Sequence, residues 1–306
     1  MKATSIQGTA FAAVAIAISA STVVVEGLPE RTQLLVLAAL IVALGVPHGA
    51  LDTVFAKHLY NTRTTKQWLM FGLAYIVPVI LVIGIWHVAP LLFLLGFLIV
   101  SIVHFSGDPE AGTPYGERIL YGGLIVFLPM LLHAQGVVHL FSFLAGDRAS
   151  TLGFWIHLLS WPWLLGTLVA LVTSCKRSDW MTGLEIGAVA ILATFAPPLV
   201  AFTVFFCGMH SARHILRTID YSGRASPRIL LAACFGPMVG VALLAGAAAL
   251  WLRNVPIQAR LIQLLFVGLA ALTVPHMGLV ERVRFSGWAP AVAKPKQSSG
   301  LDPKMI

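Results

Sequence analysis

Histidine is the residue type through which this chain can do chemistry. It has ten histidines, and several lie within or at the ends of apolar runs. An imidazole is costly in hydrocarbon unless it is paired, ligated or lining a cavity. His210 and His214 are four residues apart, which on a helix puts both rings on one face, one turn apart. Such a pair can ligate one metal ion, as in the zinc motif HExxH. Here the intervening residues are Ser-Ala-Arg, with no glutamate to serve as a base. The competing reading is a pair that bonds buried backbone or packs beside Arg213. Neutral imidazoles suit iron, copper or zinc, and ligation alone does not choose among them. The three cysteines, Cys175, Cys207 and Cys234, form no CxxC pair. A disulfide framework or thiolate zinc site is therefore not expected, and they read as small packed hydrophobes.

The elements that must position these histidines follow from composition. The chain has 306 residues, 58% of them hydrophobic and 10% charged. Soluble domains carry roughly 25% charged residues, so this chain is too poor in charge to solvate the outside of a soluble domain. An all-α polytopic transmembrane bundle is expected. The net charge of +8 is scattered between apolar runs and forms no basic stripe, so nucleic acid is not an expected partner.

About ten spans (eight to ten) can be drawn, each of ~15–25 residues against the ~20 needed to cross hydrocarbon. They cover 9–25, 32–48, 67–86, 89–106, 117–134, 152–174, 182–196, 198–219, 228–252 and 259–282. The first follows Lys2 and reads as a retained anchor, since no convincing small-x-small cleavage site precedes Glu26. Pro197-Pro198 divides the run from 182 to 219, because consecutive prolines end or kink a helix. With that division the groups Lys57/Arg63/Lys66, Lys176/Arg177, Arg213/Arg217/Arg224/Arg228 and Arg282/Arg284 fall on one side. That side is cytoplasmic by the positive-inside rule, and both termini lie there. Arg253 and Arg260, on the other side, are an exception. The segment 135–151 reads as a long connection on that far side. The organisation expected is an extra N-terminal anchor over 1–30, a helical membrane catalytic domain over 31–287 and a flexible cytoplasmic tail over 288–306.

This topology sorts the histidines. His48, His104, His210, His214 and His276 all come to the inner half of the membrane, so a shared site is expected of them. His87, His133, His139 and His157 fall on the far side and His58 in the first cytoplasmic loop, where they read as interfacial.

The same residues sit in four blocks. Gly45-Val-Pro-His48-Gly-Ala-Leu-Asp52, His104-Phe-Ser-Gly-Asp108, His210-Ser-Ala-Arg213-His214 and Pro275-His276-Met-Gly-Leu279-Val-Glu281 resemble, in order, the motifs of the Brp/Blh family of bacterial and archaeal β-carotene 15,15′-dioxygenases. The resemblance implies a non-haem iron enzyme of the bacterial inner membrane. It would cleave β-carotene centrally with O2 into two all-trans-retinals, for use by a microbial rhodopsin. The cofactor implied is Fe(II), and the family's proposed ligands fall on His48, His104, His210 and His214. His276 is expected beside the metal or in the substrate pocket. Ser106 departs slightly from the small residue expected in the second block.

Around these ligands, Asp52 and Asp108 each lie four residues beyond a histidine, which invites a His–Asp orienting role or an interfacial position at a helix end. Glu281 is the expected ion-pair partner of Arg213 or Arg217, holding two spans together. Phe105, Phe202, Phe205, Phe206, Trp161 and Trp163 are available to line an apolar tunnel. Two other readings compete: a membrane di-iron desaturase or hydroxylase, which would carry more clustered histidine boxes, and a haem- or metal-binding membrane protein without enzymatic activity.

Overall fold

The computed structural model describes residues 3–22, 29–110, 112–177, 179–223 and 226–283. Lys2, Glu26, Arg224, Arg284 and the tail 288–306 lie outside the described residues, and with them the expectation of a flexible tail. Among the described residues the chain is helical and contains no strand.

In chain order the helices are α1 (Ala3–Ala20), α2 (Glu30–Leu40), α3 (Pro47–Ala50), α4 (Asp52–Tyr60), α5 (Thr65–Val88), α6 (Pro90–Phe105) and α7 (Tyr115–Leu132). There follow α8 (Ala134–Ala145), α9 (Ala149–Lys176), α10 (Trp180–Phe195), α11 (Pro198–Val204), α12 (Ala212–Tyr221), α13 (Pro227–Trp251) and α14 (Ile257–Arg282). Two π-helical turns interrupt this series, Ile41–Gly45 between α2 and α3 and Phe205–Ser211 between α11 and α12.

Among the described residues eight stretches are long and apolar enough to cross a membrane, and two 16-residue apolar helices, α6 and α10, add to them. The division at Pro197-Pro198 is present, with α10 ending at Phe195 and Pro198 opening α11. Two features correct the expected layout. His48 does not end a span; after an interruption at Leu51 helix resumes and runs to Tyr60, where Asn61 closes it in the left-handed region at φ 49°. The segment 135–151 is largely not a loop: Ala134–Ala145 is helical and packs on α14, α6 and α7. Its sequence AQGVVHLFSFLA is amphipathic, and it buries Val137, Leu144 and Ala145. A helix with one apolar face gains by laying that face on its neighbours.

The starts and close approaches of these helices are readable in the sequence. Thr64 and Gln67 form a reciprocal capping box that opens α5, which satisfies two donors otherwise lost at a helix start. Gly122 lets α7 approach α6 closely. A Cβ there would sit 2.3 Å from the Ile102 carbonyl oxygen, and small residues at such contacts are how membrane helices gain packing.

The helices α7, α11 and α12 are well covered, whereas α5 and α13 bury almost nothing of themselves. The core runs through Ile41, Leu94, Phe105, Tyr121, Phe205 and Met209. The exposed sides of α5 and α13 carry Leu73, Ile80, Leu231 and Leu243, as lipid-facing helices require.

Candidate metal centre

Each histidine of the cluster arrives on a different local device. His48 follows the first π-turn, with Pro47 fixing the start of α3. His104 lies in the last turn of α6. His210 lies in the second π-turn and His214 on α12. His276 follows Pro275 inside α14. π-turns inside α-helices frequently mark functional sites, because the extra residue re-aims side chains that a regular helix would point elsewhere.

These five rings are buried and meet in one place. The His48 ring centroid lies 5.1 Å from those of His210 and His276 and 5.3 Å from that of His214. His104 lies 4.4 Å from His210 and 5.1 Å from His276. His214 and His276 are 4.9 Å apart. His48, His104 and His276 each offer a ring nitrogen, and these atoms all lie within 4.8 Å of one another. By distance, His276 thus stands among the potential ligands and not behind them.

Hydrogen bonds orient the rings. His48 Nδ1 faces the Gly45 carbonyl oxygen and, at 3.0 Å, the Ser211 hydroxyl. His210 Nδ1 donates to Asp108 at 2.9 Å, and His276 Nδ1 donates to Asp52 at 2.8 Å. A ring that donates through Nδ1 carries its lone pair on Nε2. The Nε2 atoms of His104, His210 and His276 are buried without any hydrogen-bond partner. Buried acceptors left without a donor, such as the Nε2 atoms of His210 and His276, are costly. A cation there removes the cost, so these residues fit a metal ion, with His210 and His276 held from behind by carboxylates as metal ligands usually are.

Both aspartates are therefore placed behind histidines, but not the histidines expected. The helix breaks at Leu51, between α3 and α4, so Asp52 leaves the His48 face and reaches His276 instead. Likewise α6 ends at Phe105, and Asp108 swings with the following loop to His210.

The expected pairing of Glu281 with Arg213 or Arg217 is also corrected. Glu281 is exposed, at the rim of a small opening lined by His104, His214 and Arg217. Arg213 pairs with Glu185 of α10 through two bonds of 2.6 and 2.9 Å, both side chains being buried. A buried arginine is destabilising without a partner, and the buried Glu185 is that partner here.

Three arginines shape the loop that carries Asp108. Arg217 donates to the carbonyls of Gly107 and Asp108, each at 2.7 Å. Arg213 donates to the Asp108 carbonyl at 3.0 Å. Arg118 donates to the carbonyls of Ser106, Glu110 and Thr113. The loop's backbone acceptors are thus satisfied where no sheet or helix does so.

An apolar cavity of about 370 Å³ reaches the cluster. It runs between α5 and α13, with His48, Asp52, Tyr75, Phe206 and His276 at its inner end and Gly240, Val241 and Leu244 along one wall. Phe206 stacks on His210 at 5.7 Å and on Phe202 at 5.5 Å. Gly45 is required beneath it, because a Cβ there would come within 2.4 Å of the Phe206 ring. Phe105 meets His210 edge-on at 4.9 Å and lines a second, smaller cavity with Phe202.

The remaining histidines are elsewhere. His133 bonds the Thr194 carbonyl, His157 the Met130 carbonyl, and His139 and His58 meet Phe143 and Tyr221 edge-on. The sequence reading missed Tyr75, Glu185, Ser211 and Gln7. A detectable signal existed for Glu185, a long polar side chain inside the apolar span drawn over 182–196, whereas Gln7 lies just ahead of the span drawn over 9–25. None existed for Tyr75 or Ser211.

The profile of the beta-carotene 15,15′-dioxygenase family matches residues 39–283. The chain is 28% identical over 256 residues to the beta-carotene 15,15′-dioxygenase of an uncultured marine bacterium (66A03), covering 79% of this chain and 91% of that protein. It is 25% identical over 283 residues to a probable beta-carotene 15,15′-dioxygenase, Blh, of Halobacterium salinarum, covering 80% of this chain and 82% of that protein. No solved structure matches. With four motif blocks in order and a match running over most of its length, the chain belongs to the beta-carotene 15,15′-dioxygenase family.

Proposed function

We propose that this protein is an integral-membrane oxygenase of the bacterial inner membrane that cleaves β-carotene at its central 15,15′ double bond with O2, giving two all-trans-retinals. One observation carries this reading: five buried histidines converge, and two of them, His48 and His276, line an apolar cavity bounded by the two helices that bury least of themselves. A long polyene dissolved in lipid enters such a cavity without crossing water.

The metal proposed is Fe(II), held by imidazoles drawn from His48, His104, His210, His214 and His276. When bound, it supplies an open position for O2 and stabilises charge that develops as the double bond is attacked. The chain's own residues do the rest. Asp52 and Asp108 hold His276 and His210 with Nε2 facing inward. Phe206 packs at the boundary between cavity and cluster and fixes the depth to which an apolar chain can enter. The dry lining restricts water at the reacting bond. Retinal released into the bilayer is available to a microbial rhodopsin.

The test is expression in a β-carotene-producing bacterium. Retinal should accumulate as the carotenoid colour bleaches, with one iron per chain in purified protein. Intact β-carotene beside well-expressed protein, under O2 and with Fe(II) supplied, refutes the reading.

A further inference from the structure

We propose that Gln7 is a positioning residue of the metal centre, and that α1 is a built-in part of that centre rather than a detachable anchor. This rests on the reading of the histidine cluster as a metal site. The helix lies upstream of the family match, which begins at residue 39.

Three observations meet at Gln7. First, its side-chain amide donates to the Gly208 carbonyl at 2.7 Å and to the Met209 carbonyl at 3.2 Å. Both belong to the π-turn that carries His210. A π-turn displaces the regular bond ladder of a helix and leaves carbonyls without their usual partner. In a membrane interior nothing but protein can satisfy them.

Second, the carbonyl end of the same side chain accepts from Arg213 Nε at 2.9 Å. Arg213 in turn donates to the Asp108 backbone, and the Asp108 carboxylate accepts from His210. Gln7 thus closes a ring of bonds around His210: it holds the backbone on one side of that residue and, through Arg213 and Asp108, the imidazole on the other.

Third, Gly8 is what lets α1 come this close. A Cβ at Gly8 would lie 2.5 Å from a Glu185 carboxylate oxygen and 3.1 Å from Arg213 Nη2. Gln7 and Gly8 together therefore dock α1 on the Arg213–Glu185 pair. Elsewhere α1 is apolar, burying Phe11, Ala12 and Ala15, so a glutamine in this span needs a partner of this kind.

The experiment is Co(II) binding to the full-length protein in detergent, followed by its visible ligand-field spectrum and by dissociation constant, with thermal unfolding of the metal-free protein alongside. Gln7→Met keeps the side-chain length and removes all three bonds. Its Co(II) affinity should fall about tenfold or more, the size typical of losing a partner behind a metal ligand. Its ligand-field bands should shift, while Val14→Leu on the exposed side of α1 leaves both unchanged. Gly8→Ala pushes α1 outward without removing a polar group and should reproduce the affinity loss, and it serves where Gln7→Met does not yield folded protein. If both variants bind Co(II) with wild-type affinity and spectrum, with or without a lower unfolding temperature, Gln7 is merely structural and the inference is overturned. Wild-type protein that binds no Co(II) overturns the metal reading itself, an outcome distinct from the first.

Discussion

His276 Nδ1 donates to Asp52 Oδ1 at 2.8 Å, and the other carboxylate oxygen of Asp52 accepts from the Tyr75 hydroxyl at 2.9 Å. The chain Tyr75–Asp52–His276 runs from the wall of the apolar cavity to the centre of the histidine cluster. It fixes which nitrogen of His276 carries the proton and which faces the other imidazoles. Asp52→Asn removes the charge behind the ring and should weaken metal binding and retinal production by about ten- to a hundredfold. Tyr75→Phe keeps the carboxylate and should cost less. Metal content and retinal yield of the two variants check the order. Equal losses would place Tyr75, not Asp52, in control of the ring.

His276 should count as a ligand. His276→Ala should lower metal occupancy as far as His48→Ala and His104→Ala do, since these three bring ring nitrogens within 4.8 Å of one another. Metal analysis of the three purified variants decides this. Full occupancy in His276→Ala would return that residue to a supporting role.

The buried pair Arg213–Glu185 should dominate the stability of the packing between α10 and α12. Glu185→Leu leaves the guanidinium unpaired among buried groups and should destabilise by about 3–5 kcal/mol. The double variant Arg213→Met/Glu185→Leu should regain part of that stability in thermal unfolding, because no uncompensated charge remains. Its metal affinity should stay low, since the Asp108 loop has lost the Arg213 bond.

Gly45 and Phe206 should be coupled. Gly45→Ala drives a methyl group into the ring, which lies 2.4 Å from the position of its Cβ. Overpacking of this kind costs about 1–3 kcal/mol, and the displaced ring would intrude on the cavity. Adding Phe206→Ala removes the clash while opening a cavity of its own, so the loss in the double variant should be clearly smaller than the sum of the two single losses. Additive losses in the double variant would show that the two sites do not share this contact.

The cavity should be the entry for the apolar substrate. Gly240 lines it, and a Cβ there meets open space. Gly240→Trp should therefore fold normally, bind metal as wild type does, and raise the KM for β-carotene several-fold. An unchanged KM would direct the entry path elsewhere.

How much of this was legible in the sequence can be argued from these same residues. Scarcity of charge was enough to call for a membrane bundle, because hydrocarbon tolerates only helices with their backbone bonds closed internally. Basic residues at the helix ends then sorted His48, His104, His210, His214 and His276 to one depth, and in the structure these five converge. The order of motif blocks pointed to the family. Partner choice was different. Spacing along a helix relates only residues three or four apart, so Asp52 was matched to His48 and Asp108 to His104. The break at Leu51 and the end of α6 at Phe105 cancel those matches. Bonds such as His276–Asp52, Arg213–Glu185 and Gln7–Met209 join residues from distant segments. Which of these meet depends on how helices pack and where a π-turn rotates the chain. That is a property of the assembled bundle, where each buried polar group must find whichever partner the packing brings within reach.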